Sequence, residues 1–156
     1  MTDEIERKFL IQDIPFEELQ LAKPSSLMQG YLQLGEGKEL RIRQSANHYY
    51  ITAKYGSGLV RKEIEEEISQ AVFNLLWPFT EGKRVEKLRF TFSYHNHHCD
   101  IDIYSGELTD LMVMEVEFPT ENQAASFTPP AFCVKEITDD SRFKNASLAV
   151  YGKPAY

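Results

Sequence analysis

Full charges recur at every second residue in segment after segment of this chain, and that period constrains the fold more than any other feature. In a β-strand, residues two apart share a face. Glu4, Glu6 and Lys8 alternate with Ile5 and Phe9, and Arg41 and Arg43 with Leu40 and Ile42. Arg61, Glu63, Glu65 and Glu67 stand opposite Ile64 and Ile68, while Lys54 shares a face with Thr52. Lys87 and Arg89 alternate with Leu88 and Phe90, Asp100 and Asp102 with Ile101 and Ile103, and Glu115 and Glu117 with Met114, Val116 and Phe118. The pattern predicts strands near 3–11, 27–34, 39–45, 48–55, 60–68, 84–94, 98–104 and 112–118.

Punctuation between these segments fits hairpins. Gly35-Glu36-Gly37, Ser45-Ala46-Asn47 and Tyr55-Gly56-Ser57-Gly58 are turn material. Ser69 can cap a short helix through Leu76, Thr120 and Gln123 form a capping box, and Asp139 or Asp140 can open a helix to about Val150 that Gly152 and Pro154 stop. With no linker or internal repeat, 156 residues read as one domain, residues 1–156, long enough to bury a core without staples. Eight hairpin-linked strands can close as a sandwich or a barrel, and periodicity does not choose between them.

The net charge of −7 argues against a nucleic-acid or membrane-binding exterior, since either partner wants a basic face. A charged N-terminus is unlike a signal peptide, and no apolar run reaches the 18 or so residues of a membrane span. Cys99 and Cys133 form no close pair and read as reduced thiols of a cytoplasmic protein. His95-Asn96-His97-His98 falls where a hairpin should turn and lacks a partner at ligand spacing, so it reads as turn rather than metal site. Trp77, beside Pro78, reads as core.

An amphipathic sheet with its polar face in water usually mixes Ser, Thr, Asn and Gln among its charges; here the polar face is almost wholly ionic. Like charges about 5 Å apart repel by roughly 3 kcal/mol at an effective dielectric near 20. On an exterior, salt screens them. Gathered in one hollow, the carboxylates call for divalent cations and the Lys and Arg for a polyanion. A metal–polyphosphate complex answers both.

The segments are similar, in order, to the CYTH family, also called triphosphate tunnel metalloenzymes. Its E-x-E-x-K opening stands as Glu4-Ile5-Glu6-Arg7-Lys8, followed by QGYL at 29–32, RIR at 41–43, ITAK ending at Lys54 and RKEIEEEI at 61–68. EKLRF at 86–90, DIDIYSG at 100–106, MEVEF at 114–118 and KEITDDSRFKN at 135–145 complete a match spanning nearly the whole chain, close in length to the short bacterial inorganic triphosphatases. The resemblance implies a mainly β (α+β) fold: a closed eight-stranded antiparallel β-barrel, or tunnel, with helices packed outside. It implies a metal-dependent inorganic triphosphatase, releasing pyrophosphate and phosphate. Class IV adenylate cyclase, thiamine or nucleoside triphosphatase, and a non-catalytic polyphosphate-binding domain stand as alternatives.

By the same resemblance, Lys8, Arg41, Arg43, Lys54, Arg61, Lys87 and Arg89 bind phosphate, and Glu4, Glu6, Glu63, Glu65, Glu115 and Glu117 hold Mg2+ or Mn2+. Six glutamates exceed the needs of one ion, so two are expected. Glu4, Glu6, Lys8, Lys54 and Tyr31 are the catalytic candidates; Tyr31 resembles a tyrosine that closes over the tunnel, against the plainer reading of an aromatic packed at the rim. Asp102 is open between a place beside the metal and a pair with a tunnel Arg. Arg142, Lys144 and Asn145 resemble a terminal helix near the tunnel end whose contact with substrate is open. A homodimer is compatible with the family; nucleic acid and membrane are not expected partners.

Overall fold

Two-residue hairpins set the course of the chain. Glu36 and Gly37 both take positive φ (53° and 72°), as do His95 and Asn96 (48° and 66°), the backbone that matches the right-handed twist of the flanking strands. Ala46 (φ 52°) lies in a third turn. The computed structural model describes residues 5–20, 22–56 and 62–156. The strands are β1 (Ile5–Ile11), β2 (Pro24–Gly35), β3 (Lys38–Ser45), β4 (His48–Tyr55), β5 (Lys62–Ile68), β6 (Arg84–Tyr94), β7 (His97–Tyr104), β8 (Met112–Phe118) and β9 (Cys133–Glu136). The helices are α1 (Phe16–Leu19), α2 (Gln70–Leu76), α3 (Glu121–Ser126) and α4 (Asn145–Tyr151), with 3-10 turns at Trp77–Thr80, Gly106–Leu108 and Ser141–Phe143.

All strands join one antiparallel sheet in the order β5-β4-β3-β2-β6-β7-β8-β1-β9. The eight expected strands are present, and β9 is a ninth that pairs with β1 across more than a hundred residues. Among the described residues β5 and β9 are the sheet's two edges, so the barrel expected as closed is here an open sheet. Chain-local patterning sees hairpins but not whether two distant edges meet.

Ser69 caps α2 by accepting from the Val72 amide, and Thr120 caps α3 by accepting from Gln123. The helix expected from Asp139 or Asp140 to about Val150 divides in two. Asp140 caps the 3-10 turn, and Lys144, at ψ 143°, breaks the chain before α4 begins.

Two apolar clusters flank the sheet. On one face Phe9, Ile11, Cys99, Ile101, Met114, Val116 and Phe118 are buried against Leu19 of α1 and Ala124 of α3, the outward layer the alternation implies. The second cluster is on the charged face. Leu10, Tyr31, Val85, Tyr104 and Val113 continue the ionic rows by one more step toward one end, and Phe143, Leu148 and Ala149 cover them. Thus α1, α2 and α3 lie outside as expected, while α4 packs inside the curve of the sheet, because its apolar stripe finds apolar partners there. Among the described residues no helix is long and apolar enough to cross a membrane.

Candidate functional site

Strand register brings the charged rows together. Arg43 pairs with Gln29 and Arg41 with Tyr31, Arg89 with Asp102, Asp100 with Glu115, Lys8 with Glu115 and Glu6 with Glu117. Partners directly opposite in an antiparallel pair point to the same face. Arg41, Arg43, Lys54, Lys87, Arg89, Lys8, Glu6, Glu63, Glu65, Glu115 and Glu117 therefore share one face, over an apolar floor. Glu4 and Arg61 lie outside the described residues.

The QGYL segment shows how the backbone shapes this face. A register shift between Tyr31 and Gln33 turns Tyr31 and Leu34 both toward the floor cluster, as bulges beside sites often do. The intervening Gly30 points outward, where a Cβ would stand 2.6 Å from Thr80. Only glycine allows β2 and the Trp77–Thr80 turn to approach so closely. Tyr31 is 1% exposed, and its hydroxyl accepts from Gln29 Nε2 at 2.6 Å. It is part of the floor, not a flap over the mouth. Burial pushes its hydroxyl above the ordinary tyrosine value, with Glu39 adding to burial and Arg41 opposing.

At the centre, Asp102 (side chain 2% exposed) takes Lys87 Nζ at 2.8 Å and the Arg89 guanidinium as a fork, Nε at 2.7 Å and Nη2 at 2.9 Å. Burial alone would raise the Asp102 carboxyl, but the Arg89 hydrogen bonds and then Lys87 outweigh it and hold the carboxyl below its ordinary value. Burial lowers the Lys87 ammonium, with Asp102 acting the other way and Arg89 reinforcing burial. Asp102 thus bridges two cations, and Asp100, 3.6 Å from Arg89 Nη1, stands beside the second of them. Asp102 pairs with Lys and Arg, resolving its two sequence readings in favour of the ion pair.

Beside this cluster is a cavity of about 110 Å3 lined by Leu27, Gln29, Arg41, Arg43, Val85, Lys87, Arg89 and Asn145. It has room for several waters, each taking about 30 Å3 in the liquid. The Nη2 of Arg43 lies 3.5 Å from Glu65, and Arg41 has Glu39 at 3.3 Å and Glu63 at 4.0 Å. Among the described residues the buried Nε of Arg41 and of Arg43 have no hydrogen-bond partner. Buried donors are almost always paired, so two orphans side by side on a cationic wall indicate an anionic ligand.

The carboxylates fall into two banks. Glu63, Glu65 and Glu67 are exposed on edge strand β5, where Glu65 accepts from buried Thr52 and Glu67 from His48. Glu115, with Lys8 Nζ at 3.4 Å, and Glu117 lie on β8, six strands along the sheet order from β5 and next to Glu6 of β1. On this second side His98, Asp100 and Glu117 place one ligand atom each within 4.8 Å of one another. His98 and Asp100 are absent from the expected site. The reading of 95–98 as turn holds for His95 and Asn96, but β7 begins at His97, and the pairing of β7 with β8 brings Glu117 to His98. Its spacing of two from Asp100 was the available signal. Imidazole with two carboxylates is a donor set that suits a divalent transition or Mn2+ ion, and the carboxylates alone suit Mg2+. Lys54 is half-buried on β4, between Glu39 and Glu63 in the register.

No protein-family model matches the chain. It is 44% identical to an inorganic triphosphatase of Nitrosomonas europaea over 94% of this chain and 97% of that one. It is 34% identical to an inorganic triphosphatase of Acetivibrio thermocellus, over 95% and 94%. A solved crystal structure of an inorganic triphosphatase superposes with a TM-score of 0.83 at 39% identity, covering 96% of each chain.

Proposed function

The chain belongs to the CYTH, or triphosphate tunnel metalloenzyme, family, and we propose that it hydrolyses inorganic triphosphate to pyrophosphate and phosphate on the concave face of its sheet. The observation that carries this reading is the pair of orphaned guanidinium Nε atoms of Arg41 and Arg43 at the cavity shared with Lys87 and Arg89. Each buried unpaired donor costs about 1–3 kcal/mol. Two of them, aligned by strand register, fit an acceptor with many oxygens. Triphosphate carries roughly four or five negative charges near neutral pH, given phosphate pKa values near 6. Arg41, Arg43 and Arg89 fork onto its oxygens, and Lys87, Lys54 and Lys8 act as point charges.

A divalent cation, Mg2+ or Mn2+, fits His98, Asp100 and Glu117, with Mn2+ better matched to the imidazole. A second ion would fall to Glu6 and Glu115. When bound, the cation supplies positive charge to the phosphate oxygens and polarises the attacking water. The chain's own part is positioning. Phosphoryl transfer needs in-line placement and charge neutralisation more than covalent chemistry. Asp102 holds Lys87 and Arg89 in place before substrate arrives. Tyr31, kept protonated, offers its O–H to a phosphate oxygen at the floor. The β5 glutamates come opposite β1 and β8 if the sheet edges draw together around the polyanion, which would complete the tunnel.

The test is phosphate release from triphosphate, ATP and thiamine triphosphate, with Mg2+ and with Mn2+. Triphosphate should be turned over fastest and only with metal. Arg43→Gln should cut kcat/KM by about ten- to a hundredfold, the worth of a charge-assisted hydrogen bond. No metal-stimulated release from triphosphate, or an Arg43→Gln enzyme as fast as wild type, would overturn the reading.

A further inference from the structure

The end of the concave face away from the His98 group is closed by the chain's own C-terminal segment. Phe143, Leu148 and Ala149 are buried on Leu10, Tyr31, Val85 and Tyr104. Asn145, the first residue of α4, is where this plug meets the cationic cavity. The Tyr104 hydroxyl donates to Asn145 Oδ1 at 3.0 Å. Burial, with Asp102 and Glu115 adding to it, pushes that hydroxyl well above the ordinary tyrosine value, so it stays a donor. With its oxygen turned to Tyr104, the amide presents its NH2 away from Tyr104. Among the described residues Nδ2 has no protein partner, and Asn145 shares the cavity with Arg41, Arg43, Lys87 and Arg89.

We propose that Asn145 is a substrate ligand whose Nδ2 donates to the innermost phosphoryl group, so that the C-terminal segment forms the base of the phosphate site. The proposal rests on the triphosphatase reading and specifies how the substrate lies in that site. A neutral amide suits this position: it adds a donor without adding another cation to a wall that must also stand empty. With this end plugged, the polyphosphate enters end-on from the carboxylate side, an unesterified terminal phosphoryl first, and products leave by the same mouth. Inorganic triphosphate satisfies that requirement from either end, and a nucleotide only with its base trailing outward. Tyr104 acts through Asn145, as a positioning residue.

Metal-free titration calorimetry with tripolyphosphate tests this, alongside kcat and KM with metal present. Asn145→Ala should weaken tripolyphosphate binding about tenfold. Asn145→Asp keeps the acceptor for Tyr104 but turns a carboxylate toward phosphate, and should weaken it about a hundredfold, with the melting temperature near wild type. Tyr104→Phe, which frees the amide to rotate, should raise KM about threefold with little change in kcat. A purely structural Asn145 would give the reverse ranking, Asp nearly normal and Ala impaired, and that result overturns the proposal. Arg43→Gln is the control that separates the two claims. If it binds tripolyphosphate like wild type, the phosphate site itself is misplaced; if it binds weakly while both Asn145 variants bind normally, only the role of Asn145 falls.

Discussion

Replacing Asp102 by Asn exchanges one oxygen for an NH2 in a side chain that is 2% exposed and holds two cations at 2.7–2.9 Å. The variant keeps the shape and removes the carboxylate in direct contact with the 7%-exposed Lys87. Breaking a buried pair by removing one partner costs about 3–5 kcal/mol. The Arg89 side chain is 28% exposed and can recover some water, which places the expected loss near the lower end, about 3 kcal/mol. For a chain of 156 residues each kcal/mol moves the melting temperature by about 2–4 °C, so Asp102→Asn should melt about 6–12 °C lower. The distinguishing measurement is the response to ligand. With Lys87 and Arg89 released, metal-free tripolyphosphate should raise the melting temperature of the variant by more than it raises wild type, because the anion takes the place of the lost carboxylate. Differential scanning fluorimetry across a tripolyphosphate series reads both quantities. A variant as stable as wild type, or one that responds less to the anion, would refute the view that Asp102 balances a phosphate-binding cation pair. The pH dependence has a definite sign. The folded Asp102 carboxyl lies below its ordinary 3.8, so its stabilisation is present above about pH 4 and is lost as pH falls through the lowered value; Asp102→Asn should lack that component of the acid limb.

Burial lowers Lys87 from its ordinary 10.5, so metal-free tripolyphosphate affinity should decline on the alkaline side before pH 10.5, and Lys87→Arg should hold its affinity to higher pH; a wild-type profile flat to pH 10.5 would contradict this. His98→Ala should weaken Mn2+ binding about tenfold or more, read from the electron paramagnetic resonance signal of free Mn2+, while a Kd equal to wild type would remove His98 from the metal group. Gly30→Ala places a Cβ 2.6 Å from Thr80 and should cost about 1–3 kcal/mol by chemical denaturation, with tripolyphosphate affinity per folded molecule unchanged; full stability would mean the Trp77–Thr80 turn shifts freely.

The face carrying the chemistry was legible from residue order because side-chain direction in a strand has period two and needs no knowledge of neighbours. Glu6 with Lys8, Arg41 with Arg43, Lys87 with Arg89, and Glu115 with Glu117 each had to share a side wherever their strands were placed. Hairpins joined by two or so residues then left little freedom of register between β2 and β3, β3 and β4, or β6 and β7. What residue order could not show depends on contacts between distant segments. His98 acquires Glu117 only because β7 pairs with β8, and β9, four residues long, exists only by pairing with β1. The Tyr31 floor, α4 lying inside the curve instead of outside it, and Asn145 at the cavity follow from which apolar stripe met which apolar end of the sheet. That choice is made by burial across the whole fold, where an equally amphipathic helix could have covered either face. The local pattern determined which charges stand together. The tertiary structure decided that they stand over a plugged floor, with two buried guanidinium donors unpaired among the described residues.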